Sequence, residues 1–249
     1  MIKYEIRNEV GILTLNRPEK RNALHPELVK QMKSKLKEVE IDTSAKVLII
    51  TGEGKAFCAG ADLEYLNQMR NYSSLENEKD SVELAELFLM IYNFPKIVIA
   101  AVNGAAIAGG CGLASVCDLI VADKVNAKFG YSEVKIGFIP AVVSTFLIRR
   151  VGEGLAKQML LSSDIIDAKR GYQIGFVNYL CNNVLEFSIS VASKLKNNSQ
   201  QSMGLTKDMI RDISGLSVED AVEYCIGLNT ISRTTKDFKD GINNFLTKK

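Results

Sequence analysis

The chain has 249 residues, 47% hydrophobic and 24% charged, with a net charge of +2 and a single histidine. That is globular material long enough for a sizeable core, and it excludes a disordered or collagen-like chain. No block of five or six like charges occurs, which argues against a nucleic-acid partner. The opening, MIKYEIRNEV, alternates charged and apolar residues and carries no basic segment followed by an apolar run, so a cytoplasmic chain is expected.

In chain order, Lys3–Arg7 and Gly11–Asn16 read as two short strands around the turn residues Asn8 and Glu9, closed by Pro18. From Pro26 to Ile41, Leu28, Val29, Met32, Leu36 and Val39 recur at spacings of three and four, the mark of an amphipathic helix. Lys46–Thr51 (KVLIIT) is a short β-branched run bounded by Gly52 and Gly54, as in a strand buried on both faces. A helix is predicted from about Asp80 to Asn93, ended by Pro95, then strands at Ile97–Val102 and Asp118–Ala122. Strand, helix, strand in that order predicts an α/β fold with parallel pairing. Ser188–Lys196, Val218–Asn229 and Thr234–Leu246 read as helices, and NNSQQS at Asn197–Ser202 is the linker candidate before a helical C-terminal region. The apolar stretch Ile97–Ala108 is interrupted by Asn103 and Gly104 and is too short to span a bilayer.

Cys58, Cys111, Cys117, Cys181 and Cys225 are an odd set without a C-x-x-C pair. Reduced thiols are expected, and no metal site. His25 directly precedes Pro26 at a helix start, the place of a capping or packing residue. It has no G-x-S-x-G nucleophile to serve.

Three segments put small residues where backbone must approach something closely: Lys55–Leu63 (KAFCAGADL), Gly104–Leu113 (GAAIAGGCGL) and Phe129–Pro140 (FGYSEVKIGFIP). The first two follow predicted strands, where open α/β sheets bind ligands. If Gly109–Gly110 opens a helix, its free N–H groups and positive dipole end face that site. An amide from the Gly60–Ala61 turn would complete a two-donor oxyanion hole. Taken singly, a Gly-Gly pair is read as tight helix-on-sheet packing. Gly104, Gly109 and Gly112 do not fit G-x-G-x-x-G, and GEGK at Gly52–Lys55 lacks the spacer and hydroxyl residue of a phosphate loop.

Together with NRPEKRNAL at Asn16–Leu24, these segments, in order and spacing, resemble the crotonase (enoyl-CoA hydratase/isomerase) superfamily from about Glu5 to Leu180. The resemblance implies a spiral of strand-strand-helix units. It also implies an acyl-CoA-binding catalytic core over residues 1–196 and a helical lid and oligomerisation region over residues 197–249. Ala61 and Gly109 match the oxyanion-hole positions, and Glu133 matches the general acid/base glutamate. Lys20 and Arg21 lie where the family places basic residues near the coenzyme phosphates, and Asp62 and Leu63 where it places adenine and pantetheine. Ala23, Ala59, Gly110, Gly112, Tyr131 and Val142 complete the implied substrate-binding set. The partner implied is an acyl-CoA thioester, with no cofactor beyond the coenzyme A it carries, no membrane, and a homotrimer or homohexamer.

One position departs from the pattern. The hydratases commonly carry a second glutamate where this chain has Gly112, so the usual division of labour between two carboxylates is lost. A single carboxylate beside an oxyanion hole can orient water for hydration, or shuttle a proton between C2 and C4 for double-bond isomerisation. Pro140–Thr145 (PAVVST) resembles the subgroup acting on branched glutaconyl-type esters, in which a glycine also stands at the Gly112 position and would make room for the acyl group; this favours hydration, with isomerisation the alternative. Glu133 argues against a catalytically silent acyl-CoA binder. An RNA-binding side role would need a basic helix, but Lys30, Lys33, Lys35 and Lys37 are flanked by Glu27, Glu38 and Glu40 and read as a solvated face.

Overall fold

The computed structural model describes residues 1–247. The chain runs β1 (Ile2–Arg7), β2 (Val10–Leu15), α1 (Pro26–Ile41), β3 (Val47–Gly52), β4 (Ala56–Cys58), α2 (Leu63–Met69) and α3 (Ser74–Tyr92). It continues with β5 (Ile97–Val102), β6 (Ala105–Ile107), α4 (Gly109–Ser115), β7 (Leu119–Asp123), β8 (Lys128–Gly130) and α5 (Ala141–Ser162). β9 (Ile166–Asp167), α6 (Ala168–Gln173), β10 (Tyr179–Cys181), α7 (Val184–Leu195), α8 (Gln200–Ile213), α9 (Val218–Ser232) and α10 (Lys236–Thr247) complete it.

The strands form two sheets. The larger has the order β1-β2-β3-β5-β7-β10, parallel throughout except for the β1/β2 hairpin. The smaller has the order β4-β6-β8-β9, of which β4, β6 and β8 are parallel. Each of β3, β5 and β7 in the large sheet is followed at once by a three-residue strand in the small one. This is the strand-strand unit that the resemblance implied.

Alternation along the central strands sorts the core. Leu48 and Ile50 of β3 pack with Leu28, Met32 and Leu36 of α1 on one side, while Val47 and Ile49 face Val184, Val191 and Ala192 of α7 on the other. Both faces are covered, which is why these strands read as continuous apolar runs. α1 buries the five residues whose spacing predicted it.

Three expectations are corrected. The helix expected from Asp80 begins at Ser74, where Ser73 and Glu76 form a capping box. Its first half lacks an apolar stripe, so periodicity was silent there. The helix expected from Ser188 begins at Val184, capped by Asn183. The site-bearing loops follow not β3 and β5 themselves but β4 and β6, three-residue strands too short to show a period of two.

α8 rests on the core through Lys207, whose Nζ donates to Phe94 O and Asp118 Oδ2, both at 2.9 Å. Neither α9 nor α10 buries a residue within the chain. Among the described residues no helix is long and apolar enough to cross a membrane.

Candidate active site

β4, β6 and β8 lie side by side, with Cys58 opposite Ala106 and Ile107 opposite Gly130. Their C-terminal ends therefore deliver three turns to one place: Ala59–Asp62, Ala108–Gly109 and Tyr131–Glu133. A cleft of about 1240 Å³ opens there. Ala59, Ala61, Ala108, Gly109 and Glu133 line it, with apolar side chains from Leu63 to Met69 and from Ile136 to Val143 around them.

The geometry of the Ala61 amide follows from a single parallel bridge between Leu24 and Ala61. Leu24 N–H donates to Gly60 O at 2.7 Å, and Asp62 N–H donates to Leu24 O at 2.9 Å. Successive peptide groups of extended chain point to opposite sides, so the Ala61 N–H is turned away from Leu24. Gly109 is the first residue of α4, whose opening amides have no partner within the helix. Among the described residues neither the Ala61 nor the Gly109 amide donates a hydrogen bond.

Gly60 brings the two turns together. It has φ +86°, and a Cβ there would lie 2.8 Å from Ile107 O and 3.5 Å from Gly109 N. Only glycine permits both the dihedral and the approach. Ala108, between β6 and α4, is held at φ 50°, ψ −125°, a strained conformation of the kind that clusters at functional sites. Its N–H donates to Gly130 O at 2.8 Å.

Glu133 opens the 3₁₀ turn Glu133–Ile136. It is 8% exposed, and its Oε2 is buried with no hydrogen-bond partner. Burial holds its carboxyl above the ordinary carboxylate range, against the opposing backbone N–H groups of Glu133 and Ser132. Among the described residues that line the cleft, Glu133 is the only buried carboxyl. Glu27, Glu76 and Glu83 are exposed, and half-buried Asp80 accepts from Tyr65 Oη at 2.6 Å. Cys111, in α4, is pushed up to about 12 by burial and stays a thiol.

Ala59, Ala61, Leu63, Gly109, Glu133 and Val142 of the expected set line the cleft. The others are placed differently. Tyr131 is fully buried beneath it, near Cys111 and Ser115. Asp62 turns inward: its carboxylate accepts from Arg17 Nη2 at 2.9 Å and from the Glu64 and Tyr65 amides at 3.0 and 3.3 Å, capping α2. Ala23 is buried and offers its carbonyl to Arg17 Nη1 at 2.9 Å. Gly110 is a packing glycine, since a Cβ there would fall 2.0 Å from Cys58 O. Gly112 faces protein instead of cavity, with Val143 Cγ1 only 2.3 Å from where its Cβ would be and Phe88 behind. Lys20 and Arg21 are exposed and outside the cleft lining; Lys20 Nζ donates to Glu64 at 2.6 Å.

Arg17 and Asn22 were missed by the sequence reading. Asn22 is fully buried, and its Nδ2 donates to Glu53 O and Ala56 O at 2.9 and 2.8 Å, tying its loop to β4. The predicted capping role of His25 holds: its Nδ1 accepts from the Glu27 amide at 3.2 Å. Its ring also packs 5.8 Å from that of Tyr65 and lines the cleft. Of the lysines on α1, Lys33 pairs with Glu83 and Glu86 and Lys35 with Glu38, which fits a solvated face.

The cleft thus holds two backbone amides without a partner among the described residues and one buried carboxyl. The profile of the enoyl-CoA hydratase/isomerase family matches residues 5–249, and the chain belongs to this crotonase family. The 2,3-dehydroadipyl-CoA hydratase of Escherichia coli K12 is 35% identical, over 98% of this chain and 94% of the relative. The crotonyl-CoA hydratase of Syntrophomonas wolfei is 34% identical, over 100% and 95%. Among solved structures, an enoyl-CoA hydratase from Polaromonas sp. JS666 superimposes with a TM-score of 0.94 at 30% identity, covering 100% of this chain and 97% of that one.

Proposed function

We propose that the protein is an enoyl-CoA hydratase that adds water reversibly to an α,β-unsaturated acyl-CoA. The observation that carries this reading is the meeting of the free Ala61 and Gly109 amides with a buried, unpartnered Glu133 in one cleft. The thioester carbonyl would accept from both amides. As water attacks C3, negative charge moves onto that oxygen, where fixed donors stabilise it most. Ionised Glu133 would orient the water, take its proton as the C3–O bond forms, and return that proton to C2, so that hydroxide and proton together account for the added water. Isomerisation is the second reading, because a single buried carboxyl suffices to carry a proton between C2 and C4.

Lys20 and Arg21 remain proposed contacts for the coenzyme phosphates. Lys20 reaches Glu64, next in sequence to the cleft residue Leu63. No cofactor beyond the substrate's own coenzyme A is proposed. The branched glutaconyl-type ester rested partly on Gly112 as space for substrate, and Val143 fills that space. The cleft lysines Lys30, Lys79 and Lys135 are all exposed, leaving a buried acyl carboxylate without a counter-charge. A neutral enoyl chain, branched or straight, is the better supported substrate, although the Escherichia coli relative is named for a carboxylated one.

A homotrimer or homohexamer is proposed from the exposed Ile226, Ile231, Ile242 and Phe245 of the tail helices. Residues 197–247 contribute nothing to the cleft lining within one chain. The five free cysteines support a cytoplasmic setting. A panel of straight, branched and carboxylated enoyl-CoA esters, assayed for water addition and double-bond migration, tests the reading. Calorimetry should show the thioester binding and the free acid not. Equal affinity for both would overturn the proposal.

A further inference from the structure

α4 joins the candidate oxyanion site to the far side of the molecule. It has seven residues, so its two ends lie roughly 10 Å apart at 1.5 Å per residue. Gly109 at its start lines the cleft, while Ser115 at its end lines a second cavity of about 1050 Å³. The last carbonyls of such a helix have no partner within it.

Arg150, on α5, takes up the last of them, Ser115 O, together with the Cys117 carbonyl two residues beyond the helix. Its Nε donates to Ser115 O at 3.2 Å, Nη2 donates to Cys117 O, and Nη1 donates to Phe176 O at 3.3 Å. The guanidinium lies 5.9 Å from the centre of the buried Phe176 ring. It makes no ion pair among the described residues, so carbonyl oxygens are its chief compensation for lost water. Two residues further on, Gly152 at φ 78° breaks the path of α5. A cation at this end also offsets the negative pole of α4, leaving its positive pole at Gly109 unopposed.

The helix has little slack along its sides. A Cβ on Gly110 would fall 2.0 Å from Cys58 O and one on Gly112 2.3 Å from Val143 Cγ1, so neither flank has room for a side chain. A shift at the Ser115 end is therefore passed to Gly109 as a movement of the whole element.

We propose that Arg150 is a positioning residue for the reaction, its guanidinium holding the C-terminal end of α4 so that the Gly109 N–H stays aimed at the thioester oxygen. The proposal rests on the acyl-thioester reading given above. Sub-ångström placement of a donor matters, since about 1 Å of displacement costs up to roughly 100-fold in rate.

The experiment uses the full chain and two probes. One is the enoyl-CoA ester it turns over best. The other is an arylacryloyl-CoA, whose absorption shifts to the red when its carbonyl is polarised. Arg150→Ala should lower kcat roughly 10- to 100-fold with KM within about twofold, and should shrink the red shift. Millimolar guanidinium, entering through the second cavity, should restore part of both. If Arg150→Ala does not fold, Arg150→Lys should give the smaller red shift and lower kcat with a native circular dichroism spectrum, because one ammonium cannot span the carbonyls that a guanidinium fork reaches. A folded variant with the wild-type red shift and kcat overturns the proposal, as does one in which KM alone rises. Absence of any red shift in the wild-type protein would instead remove the oxyanion reading, and this proposal with it.

Discussion

Arg17→Met should unsettle the candidate site without touching the cleft. Asp62 is 4% exposed and Arg17 11%, and their 2.9 Å contact is the most buried ion pair among the described residues. Removing one partner of a buried pair costs about 3–5 kcal/mol, because the remaining charge stays dry. Here the Glu64 and Tyr65 amides still hold the carboxylate, which argues for the lower end. At roughly 2–4 °C per kcal/mol for a chain of this size, 3 kcal/mol is about 6–12 °C in Tm. Burial by itself raises the Asp62 carboxyl, but Arg17 and the two amides outweigh it and hold the group below its usual value. In the wild type its contribution is thus complete above the ordinary carboxylate pKa, and is lost only as pH falls through the lower folded value. In the variant the burial effect gains weight and the folded chain takes up a proton more readily. The deficit should be complete at neutral pH and shrink as pH falls through the carboxylate range. Thermal and urea unfolding across that range, with enoyl-CoA turnover measured alongside, provide the check. Because Asp62 directly follows Ala61, turnover should fall as well. A deficit below about 1 kcal/mol, the worth of an exposed pair, or one unchanged with pH, would refute this reasoning.

Glu133→Gln should lower turnover by roughly 10²–10⁴ while thioester affinity stays near that of the wild type. The acid limb of wild-type kcat/KM should lie above the ordinary carboxylate range and vanish in the variant. Because burial raises the Glu133 carboxyl, its ionised form costs stability at neutral pH, and that cost fades as pH falls through the folded pKa. Glu133→Gln should accordingly raise Tm near pH 8 and leave it unchanged near pH 4; equal shifts at both would count against a desolvated carboxyl. Gly112→Ala should destabilise by about 1–3 kcal/mol through overpacking against Val143, and adding Val143→Ala should recover part of it, read by urea unfolding. Light scattering at micromolar concentration should give a multiple of the 27.4 kDa chain; a monomer would refute the proposed assembly.

How far the sequence reached can be judged element by element. Period and punctuation sufficed for α1 and β5, which have the predicted bounds, and for β3, which lies within one residue of them, but not for α5, which buries Val143, Phe146 and Leu147 and was not expected. Glycine and alanine spacing placed Ala61 and Gly109 at one cleft, because a backbone donor needs only a turn without side-chain bulk. Glu133 stood out because of its neighbours in FGYSEV.

Side-chain direction and long-range partners escaped. Asp62 and Tyr131 carry polar atoms next to site residues, and nothing local says that one turns to Arg17, 45 positions away, and the other into the core. Gly112 looked like room for substrate, and only the packing of α5 on α4 puts Val143 in that room. Arg150 sits in an ordinary amphipathic helix, yet tertiary packing carries it to the end of α4, 35 residues back. The sequence by itself determined the family, the longer buried strands with α1, and the glycine and alanine turns that meet at the cleft. The tertiary structure alone decided which neighbours face the cleft, because that depends on which segments, remote in the chain, supply the opposing wall.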